Sequence, residues 1–402
     1  MKNKELKMNK KNDEIMKNSA EISSVAKRIV EVLKSFGVAA EVFDVCEGPT
    51  VLRVKIMLSP GVMYSQVTEL RENLRRALEV KSLRIEAPIP GEEYVGIEVP
   101  KEEHDKVSFV DTVLPAVSQC IIQRDKFNTL PIVIGKGVND KTILSDLASL
   151  PHLIVGGASG QGKSEFLHTL ICGLIASRSP DDVQFLITDS KRDEYSQYNG
   201  LPHLIEPVIT DSSRIISALH WAVAETEKRL KMFAKASVRN IADFNSRGSM
   251  PQGYIFDDEW LDESDESLPK GVPYIVIVID DFSGLMENVR GEIEQNITLL
   301  TGRARVAGIH LVLVTQRSDA DVLPETILFN VPGRIAFKTI SSSDSESILD
   351  DTGAEDLIGK GDCLFRRKDG IICRAQAPYI GDAEIEAIIA EVTRKWGDRC
   401  FE

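Results

Sequence analysis

The chain has 402 residues, 43% of them hydrophobic, enough to bury the cores of two or three domains; no run approaches the roughly eighteen apolar residues that cross a bilayer. Its 48 basic residues against 62 acidic ones leave a net charge of −14. That balance excludes a protein that coats itself with nucleic acid and confines any DNA contact to a local groove or pore. Six scattered cysteines without a CxxC pair read as buried thiols rather than a zinc site, and the Lys- and Asn-rich start lacks the apolar block of a signal peptide, so a cytoplasmic location is expected.

Residues 1–20 carry six lysines and no periodicity, which predicts a disordered basic arm. From Ile22 the apolar positions Val25, Ala26, Ile29, Val30 and Leu33 recur at helical spacing. Residues 41–58 then alternate like two strands around the turn Glu47-Gly48-Pro49. A second helix is expected over 64–78, followed by strands at 83–87 and 94–99. This order predicts a small α+β domain over residues 21–105.

From Leu130 strands and helices alternate, and the strands at 152–155, 183–188, 274–279, 310–314 and 334–337 are almost wholly apolar. Strands buried on both faces by helices read this way, so residues 106–402 are expected to form an α/β domain with a mostly parallel sheet. One stretch breaks the rhythm. Residues 256–266 are strongly acidic, within a surface insertion expected near 250–271.

The segment Gly157-Ala158-Ser159-Gly160-Gln161-Gly162-Lys163-Ser164 has the pattern GxxxxGK[ST], follows an apolar strand and opens an apolar-faced helix. Such a loop turns its N–H groups inward around phosphate at a helix N-terminus, Lys163 reaches the β- and γ-phosphates, and Ser164 holds Mg²⁺. Residues 106–402 are therefore expected to be a RecA-like P-loop NTPase domain, with ATP and Mg²⁺ as its ligands. At the end of the strand 274–279, Asp280 fits the carboxylate that holds the metal through water. Asp281 stands where such ATPases place the group that orients attacking water, one methylene shorter than the usual Glu. Gln316, closing the strand 310–314, is a candidate γ-phosphate sensor. Arg303 and Arg305 end a helix, where either a charge favouring the helix C-terminus or a guanidinium reaching a neighbouring subunit's nucleotide accounts for them.

Taken together, these motifs resemble the motor of FtsK/SpoIIIE DNA translocases. The resemblance is carried by residues 151–155 leading into the P-loop, Asp189-Ser190-Lys191, Ile279 to Phe282, residues 307–317, residues 331–337 and Gly361 to Leu364. Glu47-Gly48-Pro49, Ser59-Pro60-Gly61, Ile89-Pro90-Gly91 and Tyr94-Val95-Gly96 look like that family's smaller α domain. The resemblance implies a hexameric ring that threads duplex DNA and hydrolyses ATP between subunits. By position, Arg305 matches the arginine finger acting in trans, and Arg317 opens a loop that lines the pore in the family. Arg317 and Lys338, with Lys191 and Arg334 beside them, are the expected local DNA-binding cations.

Departures from the family shape the functional reading. No membrane-spanning start and no winged-helix end is expected here, which fits a free translocase of a phage, plasmid or other mobile element, or a chromosome-partitioning type, better than a septum-tethered one. The pore segments are poor in cations: Ser318 to Asp321 follow Arg317, Leu328 stands where lysine is common, and Ser341 to Asp344 replace a lysine-bearing loop. The expected function is a sequence-independent, ATP-driven motor on double-stranded DNA. The alternatives are a nucleotide-switched ring or secretion scaffold acting on a protein partner, and a conjugation or packaging motor.

Overall fold

The computed structural model describes residues 23–123, 129–190, 194–247, 268–319 and 321–397. The basic arm, the acidic stretch 256–266, Lys191 and Cys400 lie outside them. Among the described residues no helix is long and apolar enough to cross a membrane. Cys120, Cys172 and Cys363 are buried and Cys46 and Cys373 half-buried, all as free thiols.

The amino-terminal part pairs α1 (23–35) with an antiparallel sheet of β1 (Ala40–Glu47), β2 (Val51–Leu58), β3 (Arg84–Glu86) and β4 (Val95–Pro100) in the order β1-β2-β4-β3. Ile29 and Leu33 of α1 pack with Val54, Ile56, Val95 and Ile97 in a core of its own. The turn expected at Glu47-Gly48-Pro49 joins β1 to β2, with the Gly48 N–H donating to Val51 O at 2.9 Å. The helix expected over 64–78 is two helices, α2 (Tyr64–Thr68) and α3 (Arg71–Ala77), because Leu70 leaves helical geometry at φ −85, ψ 6. Val67 and Leu74 both reach the core across the break.

The larger part is built on β5 (Pro131–Gly137), β6 (Thr142–Asp146), β7 (Leu153–Gly156), β8 (Val183–Thr188), β9 (Tyr274–Ile279), β10 (Ile309–Thr315), β11 (Gly333–Phe337), β12 (Asp362–Arg366) and β13 (Ile372–Gln376). Their order is β6-β5-β13-β12-β11-β7-β10-β9-β8. From β11 to β8 every neighbouring pair is parallel, as the apolar runs predict; from β11 to β6 the pairs are antiparallel. The antiparallel half alternates less cleanly and carries Asp362, Arg366 and Arg374, so its strands do not stand out as apolar runs.

Side chains alternate across the parallel half with period two. Val276, Val278, Val312 and Val314 enter one core, where α4 (Phe109–Gln123), α5 (Lys163–Ser177) and α11 (Asp382–Trp396) cover the sheet. Ile275, Ile277, Ile279, Leu311 and Leu313 enter the other, under α6 (Ser212–Lys235) and α8 (Phe282–Arg303). Burial on both faces leaves only the strand ends for chemistry.

Five guanidinium and carboxylate groups tie the two sheets together. Arg374 on β13 is buried and donates to Glu98 on β4 at 2.9 Å and to Asp362 on β12 at 2.6 Å. Arg53 and Arg84 close on the other side of Glu98. A pocket of about 620 Å³ opens beside this cluster, lined by Arg53, Glu86 and Arg374 from the two parts.

Candidate functional site

β7 stops at Gly156, which stands in register with Thr315 of β10 and Ala336 of β11. The chain then turns through Gly157, Gly160 and Gly162 at φ 139, 71 and 111. Two of these glycines are fixed by close approach as well as by conformation. A Cβ on Gly157 would stand 2.9 Å from the Phe337 side chain, and one on Gly162 would stand 2.9 Å from the backbone of Gly361. The loop is sewn to its neighbours: Ala158 N–H donates to Lys338 O, and Gly361 N–H donates to Gln161 O, each at 2.9 Å.

Gly162 caps α5, and Lys163 and Ser164 are its first residues. Lys163 is buried, its ammonium donating to the carbonyls of Gly157 at 2.7 Å and Ala158 at 2.8 Å, inside the curve of the loop. A positive side chain and a helix N-terminus thus converge on one concave backbone, an arrangement suited to phosphate. These residues, with Ser159 and Gln161 on the outer turn, fit a nucleoside triphosphate.

Asp280 ends β9 and is buried. β10 lies between β7 and β9. Asp280 therefore stands two strands from the P-loop strand, at the same end of the sheet. Asp281 takes the left-handed conformation, φ 54, and caps α8; its carboxylate accepts Ser283 Oγ at 3.0 Å and Gly284 N–H at 3.4 Å, and Ser190 Oγ donates to it at 3.4 Å.

Sequence reasoning missed Glu194. Ser164 Oγ donates to Glu194 Oε2 at 2.8 Å. The Glu194 and Tyr195 N–H groups both donate to Asp189 Oδ2, at 3.0 and 3.2 Å, so the buried Asp189 at the end of β8 fixes this turn. Burial first, and then the negative charges of Asp280 and Glu194, push the Tyr195 hydroxyl well above its ordinary pKa. The signal available was only the Asp189-Ser190-Lys191 motif nearby, which says nothing of Ser164.

The remaining expected residues divide between two ends of the sheet. Gln316 is exposed one residue beyond Thr315, on the P-loop edge. Lys338 sits beside the P-loop, its carbonyl accepting from Ala158 N–H and its side chain near Gly359 and Gln161. Arg317 is exposed but engaged by Glu287 and, at 3.0 Å, by Asp319. Arg334, expected among the DNA cations, is instead buried: its guanidinium donates to the carbonyls of Val331, Ile348 and Leu328 and pairs with Asp350. Arg305 is exposed in the turn between α8 and β10, at the edge where the parallel strands begin.

The FtsK/SpoIIIE family model matches residues 121–319, and the FtsK alpha domain model matches residues 3–101. The DNA translocase FtsK of Haemophilus influenzae is 39% identical over 376 residues, covering 91% of this chain and 70% of that protein. The chain belongs to the FtsK/SpoIIIE family. The DNA translocase FtsK of Clostridium tetani is 38% identical over 98% of this chain and 50% of its own length; the chain spans about half the length of most of the FtsK relatives it matches. Among solved structures, the pCW3 conjugation coupling protein TcpA with ATPgS superposes with a TM-score of 0.60 at 21% identity, covering 92% of this chain and 99% of that one. The cytoplasmic domain of the Thermomonospora curvata Type VII secretion ATPase EccC gives 0.56 at 21% identity, over 67% of this chain and 32% of that one. These likenesses share the P-loop ATPase fold with the FtsK/SpoIIIE chain described here.

Proposed function

We propose that this chain is an ATP-driven motor on double-stranded DNA, working in the cytoplasm as a homo-oligomeric ring of six subunits. Lys163 and the P-loop amides hold the triphosphate, Ser164 and Asp280 hold Mg²⁺, Asp281 orients the attacking water and Gln316 senses the γ-phosphate. Held there, a divalent cation would supply neutralisation of phosphate charge and a template for the transfer. The observation that carries the reading is the separation of the site's parts: P-loop, Asp280 and Gln316 share one sheet edge, and Arg305 stands at the other. A site so divided is completed by a neighbouring subunit, as a ring motor requires. Residues 21–105 form the smaller domain of this motor and residues 106–402 its P-loop domain.

A second reading, a nucleotide-switched ring acting on a protein partner, is favoured by one observation. Arg317, the cation expected to meet the DNA backbone, is held by Glu287 and Asp319. Steady-state ATP hydrolysis with and without duplex DNA separates the two, with Lys163→Ala as the inactive control. A motor on DNA gives a several-fold rise with duplex that fades as salt increases. No rise, under conditions in which the ring assembles, selects the protein partner.

A further inference from the structure

The proton of the metal-facing serine has an acceptor that belongs to neither nucleotide motif. Ser164 Oγ donates to Glu194 Oε2 at 2.8 Å across 30 residues of sequence. A serine hydroxyl has one O–H to give and two lone pairs to offer. When its hydrogen points to a carboxylate, the hydroxyl is no longer free to rotate, and its lone pairs face away from that carboxylate. A bond to an ionised acceptor is among the stronger hydrogen bonds, so the orientation is held firmly.

The backbone that carries Glu194 is itself fixed. Asp189, 1% exposed at the end of β8, accepts the N–H groups of both Glu194 and Tyr195. A second, independent feature points into the same place. The Tyr195 hydroxyl is fully buried, faces Ser164 and lacks a well-formed hydrogen bond. A buried hydroxyl of this kind calls for an oxygen partner, which the water shell of a hard divalent cation supplies.

We propose that Glu194 is a positioning residue of the metal site: by taking the Ser164 proton it aims the serine's lone pairs at the divalent cation. The inference rests on the phosphate and metal roles proposed above for Lys163 and Ser164. It gives Glu194 no contact with substrate and no part in moving a proton during hydrolysis. Its effect is on the affinity for the cation, since partners that orient a ligand typically change metal affinity 10- to 100-fold when removed.

The test is binding of a fluorescent ATP analogue to the full chain, titrated with Mg²⁺ and repeated in EDTA. Glu194→Ala should raise the half-saturating Mg²⁺ about tenfold and leave the EDTA affinity unchanged. Glu194→Gln, which keeps the shape and one acceptor oxygen, should shift the midpoint less in the same direction, and it carries the test if the alanine variant fails to fold. In a Ser164→Ala background, Glu194→Ala should add nothing, because both act through one hydroxyl. A midpoint unchanged in both Glu194 variants, or a shift equally large without the serine, overturns the proposal. If the native chain bound the analogue without any help from Mg²⁺, or Lys163→Ala bound as well as the native chain, the nucleotide-site reading would fail instead.

Discussion

The amide of Gly308 donates to the carbonyl of Arg305 at 3.1 Å, and this turn fixes the arginine where the parallel strands begin. The P-loop lies where they end. β10, which runs from one edge to the other, spans seven residues, on the order of 20 Å at about 3.3 Å each. Arg305 therefore cannot reach the P-loop of its own subunit. Arg305→Ala should lower hydrolysis by the assembled protein about a thousandfold and leave nucleotide affinity unchanged. Phosphate release alongside equilibrium binding checks this, and loss of binding by isolated subunits would remove the finger assignment.

Asp281 is held back at the start of α8, where Ser283 and Gly284 bond its carboxylate. Asp281→Asn should lower turnover about a hundredfold if the acid orients water. Asp281→Glu should raise turnover, since the added methylene extends the carboxylate beyond its capping bonds. An unchanged rate in the glutamate variant would mean that the shorter acid does not limit the reaction.

Much of this site is written in local sequence. The P-loop, its strand and its helix are contiguous, so pattern and context are read together. Asp280 is legible because a fully apolar strand delivers it. Glu194 is not, because its partner lies far away in sequence and the contact depends on how Asp189 folds the turn. Arg334 shows the opposite error: an arginine in a motif reads as a surface cation, whereas here three backbone carbonyls and Asp350 use its donors inside the fold. The position of Lys338 beside the P-loop is equally illegible in the sequence. Strand order decides what stands beside β11, and strand order is not a local property. The antiparallel half of the sheet escaped notice because its charged members interrupt the apolar pattern.

Glu98 and Arg374 give a stability prediction. Burial alone would raise the Glu98 pKa, but the Arg84, Arg374 and Arg53 guanidinium groups outweigh it and hold the carboxyl far below its ordinary value of 4.5. Removing the buried cation leaves Asp362 without its cation and takes one of three guanidinium partners from Glu98. Arg374→Met should cost about 3–5 kcal/mol, read from urea denaturation. A group with a depressed folded pKa contributes fully above its unfolded value and loses that contribution as pH falls toward the folded one. The Glu98 contribution should thus be complete above about pH 4.5 and decline only below it. Glu98→Gln should remove that decline.

A second pH dependence sits higher. His152 and His310 are buried at the start of β7 and β10, where Leu311 N–H donates to His152 Nδ1 at 3.0 Å and the His310 ring bonds Pro151 O at 2.6 Å. Burial, and for His152 also the charge of His310, pushes their pKa values down to about 3 and about 4 from 6.5. The unfolded chain takes up protons near pH 6.5 and the folded chain only near pH 4. Stability should therefore fall as pH drops through this window, by about 1.4 kcal/mol per pH unit for one such histidine. Melting profiles from pH 7 to 4 should show the slope, and His310→Gln should roughly halve it. A profile level down to pH 5 would contradict the buried neutral state.

The ion cluster at Glu98 also bears on how this protein can be dissected. A chain severed after Pro100 would leave Arg374 facing the solvent without Glu98 on one fragment, and Glu98 with Arg53 and Arg84 alone on the other. Arg374 would keep only Asp362, and Glu98 only Arg53 and Arg84, so both fragments lose the buried pair that joins the two sheets. Separately expressed halves are thus poor stand-ins for the whole, and mutational work on either sheet belongs in the uncut chain.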